Sequence, residues 1–251
     1  MVAADAACGS CGRLVTRRER TRDAVAGTES ETLRRIQESY GTWAPLYDWF
    51  ARVTASVGGV RAGCVAALDL DPGATVVEFG CGPGVNLAAL RRAVGPDGRV
   101  VGVDVTGPML ERAQARIDRR GWQNVSLVRA DATAPPITSA DGVLATFVTS
   151  LFADPYAVVS RWCDLADGVA VANFAPRGSP IANAALDAFV RLNGRLFDVE
   201  SDDALALLEE RTTRSQRALV DCMDTVTTRT HVFGTITVTA GRRDRSHRGG
   251  T

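Results

Sequence analysis

The sequence predicts an α/β protein built on a doubly wound, mostly parallel sheet, and three observations carry that expectation. Five short apolar runs rich in β-branched residues, the first at about 75 to 79, alternate with segments of helical period. Between the first run and the helix after it stand three alternate glycines, Gly80, Gly82 and Gly84. Two further β-rich runs near the end, Arg217 to Val226 and His231 to Thr239, read as an antiparallel pair added at one edge, making seven strands. Strands and helices that alternate in this way call for crossover connections, with a ligand at the carboxyl ends of the strands.

Composition sets the class. At 251 residues, 45% apolar and 23% charged, the chain suits one large globular domain with appendages. All 29 basic residues are arginine, which fits GC-rich coding better than a demand for guanidinium chemistry. Their charge is balanced by 29 acids, and a net charge of zero gives no strong nucleic-acid signal. No apolar run approaches the roughly 20 residues of a membrane span. The stretch Met1–Arg22 lacks the apolar core of a signal peptide, so a cytoplasmic location is expected. The six cysteines form no disulfide framework. Cys8 and Cys11 make a lone CxxC without the further ligands a zinc site needs, so no metal is expected.

In order along the chain, residues 1–28 read as a disordered, arginine-rich segment. A helical stretch from about Ser30 leads into Tyr40 to Phe50, where five of eleven residues are aromatic. Residues 51–69 read as another helix, and Asp71-Pro72-Gly73 turns into the first strand. Leu87, Leu90 and Val94 mark the next helix, stopped at Gly95-Pro96-Asp97-Gly98. Arg99 to Asp104 is a second strand, Pro108 to Arg120 a helix and Val125 to Arg129 a third strand. Asp141 to Val148 is a fourth strand and Asp154-Pro155 opens a helix. Asp167-Gly168 reads as a turn into a fifth strand, Val169 to Phe174. An amphipathic helix from Ser179 to about Asn193 and a short one at 202–210 follow, and residues 241–251 read as a flexible basic tail.

The chemistry concentrates at Val76 to Leu87. Alternate glycines let the backbone turn sharply and lie against a ligand that a Cβ would push away. The helix N-terminus behind them offers unpaired N–H groups to an anionic part of that ligand. A dinucleotide fold wants G-x-G-x-x-G, but Val85 stands at the third glycine's place. The run Glu78-Phe79-Gly80-Cys81-Gly82-Pro83-Gly84 instead resembles motif I of the class I S-adenosylmethionine-dependent methyltransferases. Asp104-Val105-Thr106-Gly107-Pro108-Met109-Leu110 is similar to that family's acid-x-[ST]-x-x-Met-Leu pattern, and Asp131-Ala132 to its third-strand acid and small residue. The resemblance covers residues 40 to 175 well and the rest loosely. Most similar are the small-molecule members that act in quinone biosynthesis.

The resemblance implies a Rossmann-like domain over residues 29–240, with 29–70 as an N-terminal helical lid. S-adenosylmethionine would be the cofactor, held by Glu78, Gly80, Gly82, Gly84, Asp104, Val105, Met109, Asp131, Ala132 and Phe147. Glu78 would meet the methionine ammonium, Asp104 the ribose hydroxyls, Val105 the adenine face and Asp131 the adenine amine. Dinucleotide enzymes also place an acid where Asp104 stands, and both Asp104 and Asp131 could act as caps.

No Asn/Asp-Pro-Pro-aromatic motif follows the fourth strand, which counts against methylation of nucleobase amines. Tyr40, Tyr47, Thr149, Phe152 and Arg177 are candidates to line an acceptor pocket, and no residue stands out as a catalytic base. A small, partly apolar organic acceptor is the expectation. The alternatives are methylation of RNA or protein, or a non-catalytic cofactor-binding subunit.

Overall fold

The computed structural model describes residues 59–192 and 204–244. Their elements are α1 (Val60–Leu68), β1 (Thr75–Phe79), α2 (Leu87–Val94), β2 (Arg99–Asp104), α3 (Gly107–Arg120), β3 (Val125–Arg129) and β4 (Ala140–Thr146). There follow α4 (Pro155–Leu165), β5 (Ala166–Phe174), α5 (Pro180–Leu192), α6 (Ala204–Cys222), β6 (Thr225–His231) and β7 (Ile236–Arg242). Short 3₁₀ turns lie at Thr149–Leu151 and Val232–Gly234. The expectations for residues 1–58 and 245–251, including the disordered segment, Cys8 and Cys11, fall outside the described residues.

The strands form one seven-stranded sheet in the order β3-β2-β1-β4-β5-β7-β6. β1 to β5 run parallel, and β7 lies antiparallel to both β5 and β6. The strand order reverses between β1 and β4, and such a switch point opens a crevice above the strand ends. The glycine loop leaves the end of β1 there.

Alternation along each strand sends side chains to two apolar layers. Val76, Val100 and Leu144 pack with α1, α2 and α3, while Val77, Val101 and Val143 pack with α4 and α6. Trp162 of α4 is fully buried, stacks on Phe79 with ring centroids 4.9 Å apart, and donates from Nε1 to the Ala132 carbonyl at 2.9 Å. That bond ties the loop after β3 to the helix layer.

Four expectations are corrected. Asp167 and Gly168 do not form a turn, because α4 runs directly into β5 and Gly168 pairs in register with Gly142. β4 stops at Thr146 rather than Val148, since Phe147 adopts a left-handed φ of 62°. The short helix at 202–210 and the strand from Arg217 are one 19-residue helix, α6, so the sheet's edge strand begins only at Thr225. β7 also reaches Arg242, taking in the first two residues of the expected tail.

Asn124, just before β3, fastens the α2–β2 turn. Its Nδ2 donates to the carbonyls of Gly95 (3.0 Å) and Gly98 (2.8 Å), and its Oδ1 accepts from Arg91 Nε at 2.8 Å. Asn124→Ala should cost roughly 1–2 kcal/mol of stability by leaving these groups unpaired, measured by denaturant unfolding with unchanged slope.

Candidate cofactor-binding site

The crevice above β1, β2 and β4 is lined by Gly80, Gly82, Asp104, Val105, Thr106, Ala130, Asp131, Ala132, Thr146, Phe147, Val148, Leu151 and Phe152. Its floor is the glycine loop. Gly80 has φ +65°, and a Cβ there would stand 2.8 Å from Val148 Cγ2, so the backbone is in contact with the pocket wall. Cys81 N donates to the Val103 carbonyl at 3.1 Å, lacing the loop to β2.

Asp104 closes β2 and turns its carboxylate back over the loop. Oδ2 accepts from Gly82 N and Oδ1 from Thr106 N, each at 2.8 Å. Burial raises its carboxyl above the usual carboxylate range, and the bonds from Thr106 and Gly82 oppose that rise. Asp131 bends the chain after β3, its Oδ1 accepting from Thr133 N at 2.8 Å. It therefore caps its turn and lines the pocket at once.

Phe147 holds the opposite wall. A left-handed φ in a non-glycine residue is strained, and such strain gathers at functional sites. Its N–H is fixed to the Ala172 carbonyl at 2.8 Å and its ring stacks on Phe174 with centroids 4.6 Å apart. Phe152, edge-on to Trp162, continues this wall.

Glu78 lies behind the pocket. It is 1% exposed within β1, where burial pushes its carboxyl up to about 8 while the Asn86 bond and the Arg61 charge pull it down. Oε1 accepts from Asn86 Nδ2 at 2.5 Å, but Oε2 is buried without a hydrogen-bond partner.

Of the residues singled out by sequence, Gly80, Gly82, Asp104, Val105, Asp131, Ala132, Phe147 and Phe152 meet around one pocket. Gly84 sits deeper, against Leu87 and Ala113. Met109 does not line the pocket; it is 1% exposed, an inward position on α3. Thr149 is buried too, donating to Asn173 Oδ1, because the 3₁₀ turn rolls its side chain away from the opening. Arg177 is held at 2.7 Å from Glu209 on α6 and also donates to Gln216, which turns it to a helix rather than to the pocket. Tyr40 and Tyr47 lie outside the described residues.

Sequence reasoning missed Ala130, Thr146, Val148 and Leu151, which carry no chemistry that a pattern would flag. It also missed Asn86, whose signal was a lone amide at a helix start two residues after the last glycine. Among the described residues no group of three or more His, Cys, Asp or Glu side chains could hold a metal ion, and no helix is long and apolar enough to cross a membrane.

A nucleoside bearing a cationic amino-acid end fits these groups: the Asp104 carboxylate at the pocket for hydroxyls, the orphaned Glu78 oxygen for an ammonium, and a floor with no space for a Cβ at Gly80. Fold and site together have the form of a class I, S-adenosylmethionine-binding methyltransferase domain. Residues 76–166 match the family model described as a methyltransferase domain, and S-adenosylmethionine is the cofactor of that domain. The chain is 37% identical over 100 residues to a nocamycin O-methyltransferase from Saccharothrix syringae, a match covering 39% of this chain and 36% of that one. It is 33% identical over 97 residues to an aklanonic acid methyltransferase from a Streptomyces species, covering 38% and 44%. The chain thus spans less than half the length of these curated relatives. An O-methyltransferase family protein from Burkholderia thailandensis shares the fold at TM-score 0.57 and 16% identity, over 91% of this chain and 71% of that one.

Proposed function

We propose that the protein transfers a methyl group from S-adenosylmethionine to a small, partly apolar organic acceptor. The observation that carries this reading is the convergence of Asp104, the Gly80–Gly82 floor and the Phe147–Phe152 wall on one crevice at the sheet's switch point. The names of the nocamycin and aklanonic acid relatives support an organic acceptor, and that of the nocamycin O-methyltransferase supports an oxygen as the receiving atom.

The bound cofactor supplies an activated methyl on a sulfonium, so the protein's task is alignment and exclusion of water. Asp104 would hold the ribose, Asp131 and Val105 the adenine, and Glu78 the ammonium end. Phe147 and Phe152 would offer an apolar face to the acceptor. Among the described residues the titratable groups lining the crevice are Asp104 and Asp131, both engaged with backbone amides, and this reading takes positioning as the main catalytic device.

Calorimetry with S-adenosylmethionine and S-adenosylhomocysteine tests the cofactor, and methyl-labelled cofactor with small-molecule and RNA extracts tests the acceptor. Label in RNA or protein instead of small molecules would sink the acceptor reading. Asp104→Asn keeps the shape but loses the charge, and should weaken cofactor binding by about 1–3 kcal/mol. Unchanged affinity would remove Asp104 from the ribose.

A further inference from the structure

Asn86 stands at the N-cap of α2, where an asparagine normally accepts from the backbone of its own helix. Here its side chain makes no such bond. Nδ2 donates instead to Glu78 Oε1 at 2.5 Å and to Thr146 Oγ1 at 3.1 Å, while Oδ1 accepts from Arg61 Nη1 at 2.8 Å. The amide donates to the Glu78 carboxyl and accepts from the Arg61 guanidinium at once, and of its two flipped orientations this one satisfies both neighbours. Asn86 and Glu78 are each 1% exposed, so this polar chain is built into the interior.

The chain has a direction. Arg61 enters from the first turn of α1, Asn86 relays, and Thr146 lines the crevice. Glu78 beside it keeps Oε2 buried and without a hydrogen bond. A native fold tolerates such an atom chiefly where something else is to fill it. Among the described residues Arg61 is the cation facing the carboxylate; Asp104 from the end of β2 and the buried thiols of Cys64 and Cys81 also adjoin the cluster.

We infer that Arg61 and Asn86 are positioning residues for the cofactor's amino-acid end: the Arg61 guanidinium, acting through the Asn86 amide, holds Glu78 with its second oxygen directed to the ammonium. This rests on the cofactor reading above. Arg61 belongs to α1, outside the residues 76–166 matched by the methyltransferase domain family, so the relay joins that segment to the helix before it. The pull of the Arg61 charge and the Asn86 bond against the burial of Glu78 agrees with it.

The test compares two ligands by calorimetry. S-adenosylhomocysteine carries the amino-acid end; 5′-methylthioadenosine is the same nucleoside thioether without it. Asn86→Leu and Arg61→Met should each weaken S-adenosylhomocysteine about tenfold, the size of one lost charge-assisted hydrogen bond, and leave methylthioadenosine unchanged. Arg61→Lys should restore most of the loss. The double variant should bind no worse than Asn86→Leu alone, because groups that act in series are not additive. Equal losses for both ligands would mark the cluster as merely structural and overturn the proposal, as would an additive double variant or unchanged affinity in the single ones. Arg61 is only half-buried, so its variants remain informative should Asn86→Leu fold poorly. Should the unaltered protein bind methylthioadenosine but not S-adenosylhomocysteine, the relay fails and a nucleoside site stands; binding of neither would remove the cofactor reading and the relay with it.

Discussion

Glu78→Gln is expected to make the ligand-free protein more stable above neutral pH while weakening its hold on S-adenosylhomocysteine. The folded-state carboxyl titrates at about 8 against an ordinary 4.5, because burial disfavours the charged form. Between those values the folded chain keeps a proton that the unfolded chain has lost. Stability therefore falls as pH rises from about 4.5 toward 8 and levels off above it. A shift of this size corresponds to a few kcal/mol, on the order of 5, over the whole window. Glutamine cannot ionise, so the variant should lack this slope. Its new amide N–H₂ has no acceptor where Oε2 stood, which costs about 1–3 kcal/mol at every pH. The two melting curves should then cross: the variant equal or weaker near pH 5, stronger near pH 8.5. The cofactor reverses the sense of the exchange, since an ammonium favours the ionised carboxylate that the empty fold disfavours. Calorimetry at pH 8 should show a loss of at least about tenfold for S-adenosylhomocysteine and little for methylthioadenosine. Parallel melting curves across pH 5 to 8.5 would show that Glu78 is not the strained group.

The same residue shows how far the sequence could be read. An acid on a buried strand two residues before a glycine announced a site, and the first three strand ranges follow directly from their apolar runs. The glycine loop, Asp104 and Asp131 were legible because their chemistry needs particular residue types at particular spacings. α6 was not. Its buried stripe runs through Leu208, Thr212, Ser215 and Leu219, a helical period whose middle members are polar. Thr212 is buried because Oγ1 donates to the Phe174 carbonyl, and Ser215 because Oγ donates to that of Arg211. A pattern read by hydrophobicity loses such a helix halfway, and the Ala218–Val220 run after it then reads as a strand. Met109, Thr149 and Arg177 stand apart from the pocket lining for other reasons. Their positions in sequence were suitable, but helix phase, a 3₁₀ turn and an ion pair with Glu209 direct the side chains elsewhere.

Gly80→Ala should abolish useful cofactor affinity, and it separates two reasons for a glycine that usually arrive together. The first is conformational: φ is +65°, and a left-handed alanine costs roughly 1–2 kcal/mol. The second is space. The new methyl would lie 2.8 Å from Val148 Cγ2 and 2.9 Å from Val148 Cβ, closer than carbon atoms approach. Rotating Val148 moves its methyls but not its Cβ, so the conflict passes to the backbone of the pocket wall. That wall includes Phe147, already held at φ 62° by the bond to Ala172 and the Phe174 stack, and it has little slack. Gly121→Ala supplies the control, for there φ is +62° and nothing lies within 4 Å, so it carries the conformational cost alone. Both variants should lose similar stability from strain, with Gly80→Ala losing about 2 kcal/mol more from overpacking. Only Gly80→Ala should bind S-adenosylhomocysteine worse, by about a hundredfold or more (about 2.7 kcal/mol). Adding Val148→Ala clears the contacts at 2.8 and 3.3 Å but leaves the one at 2.9 Å, so it should recover part of the stability and little of the affinity. Full recovery in that double variant would mean that the valine methyls alone, and not the path of the backbone, keep residue 80 a glycine.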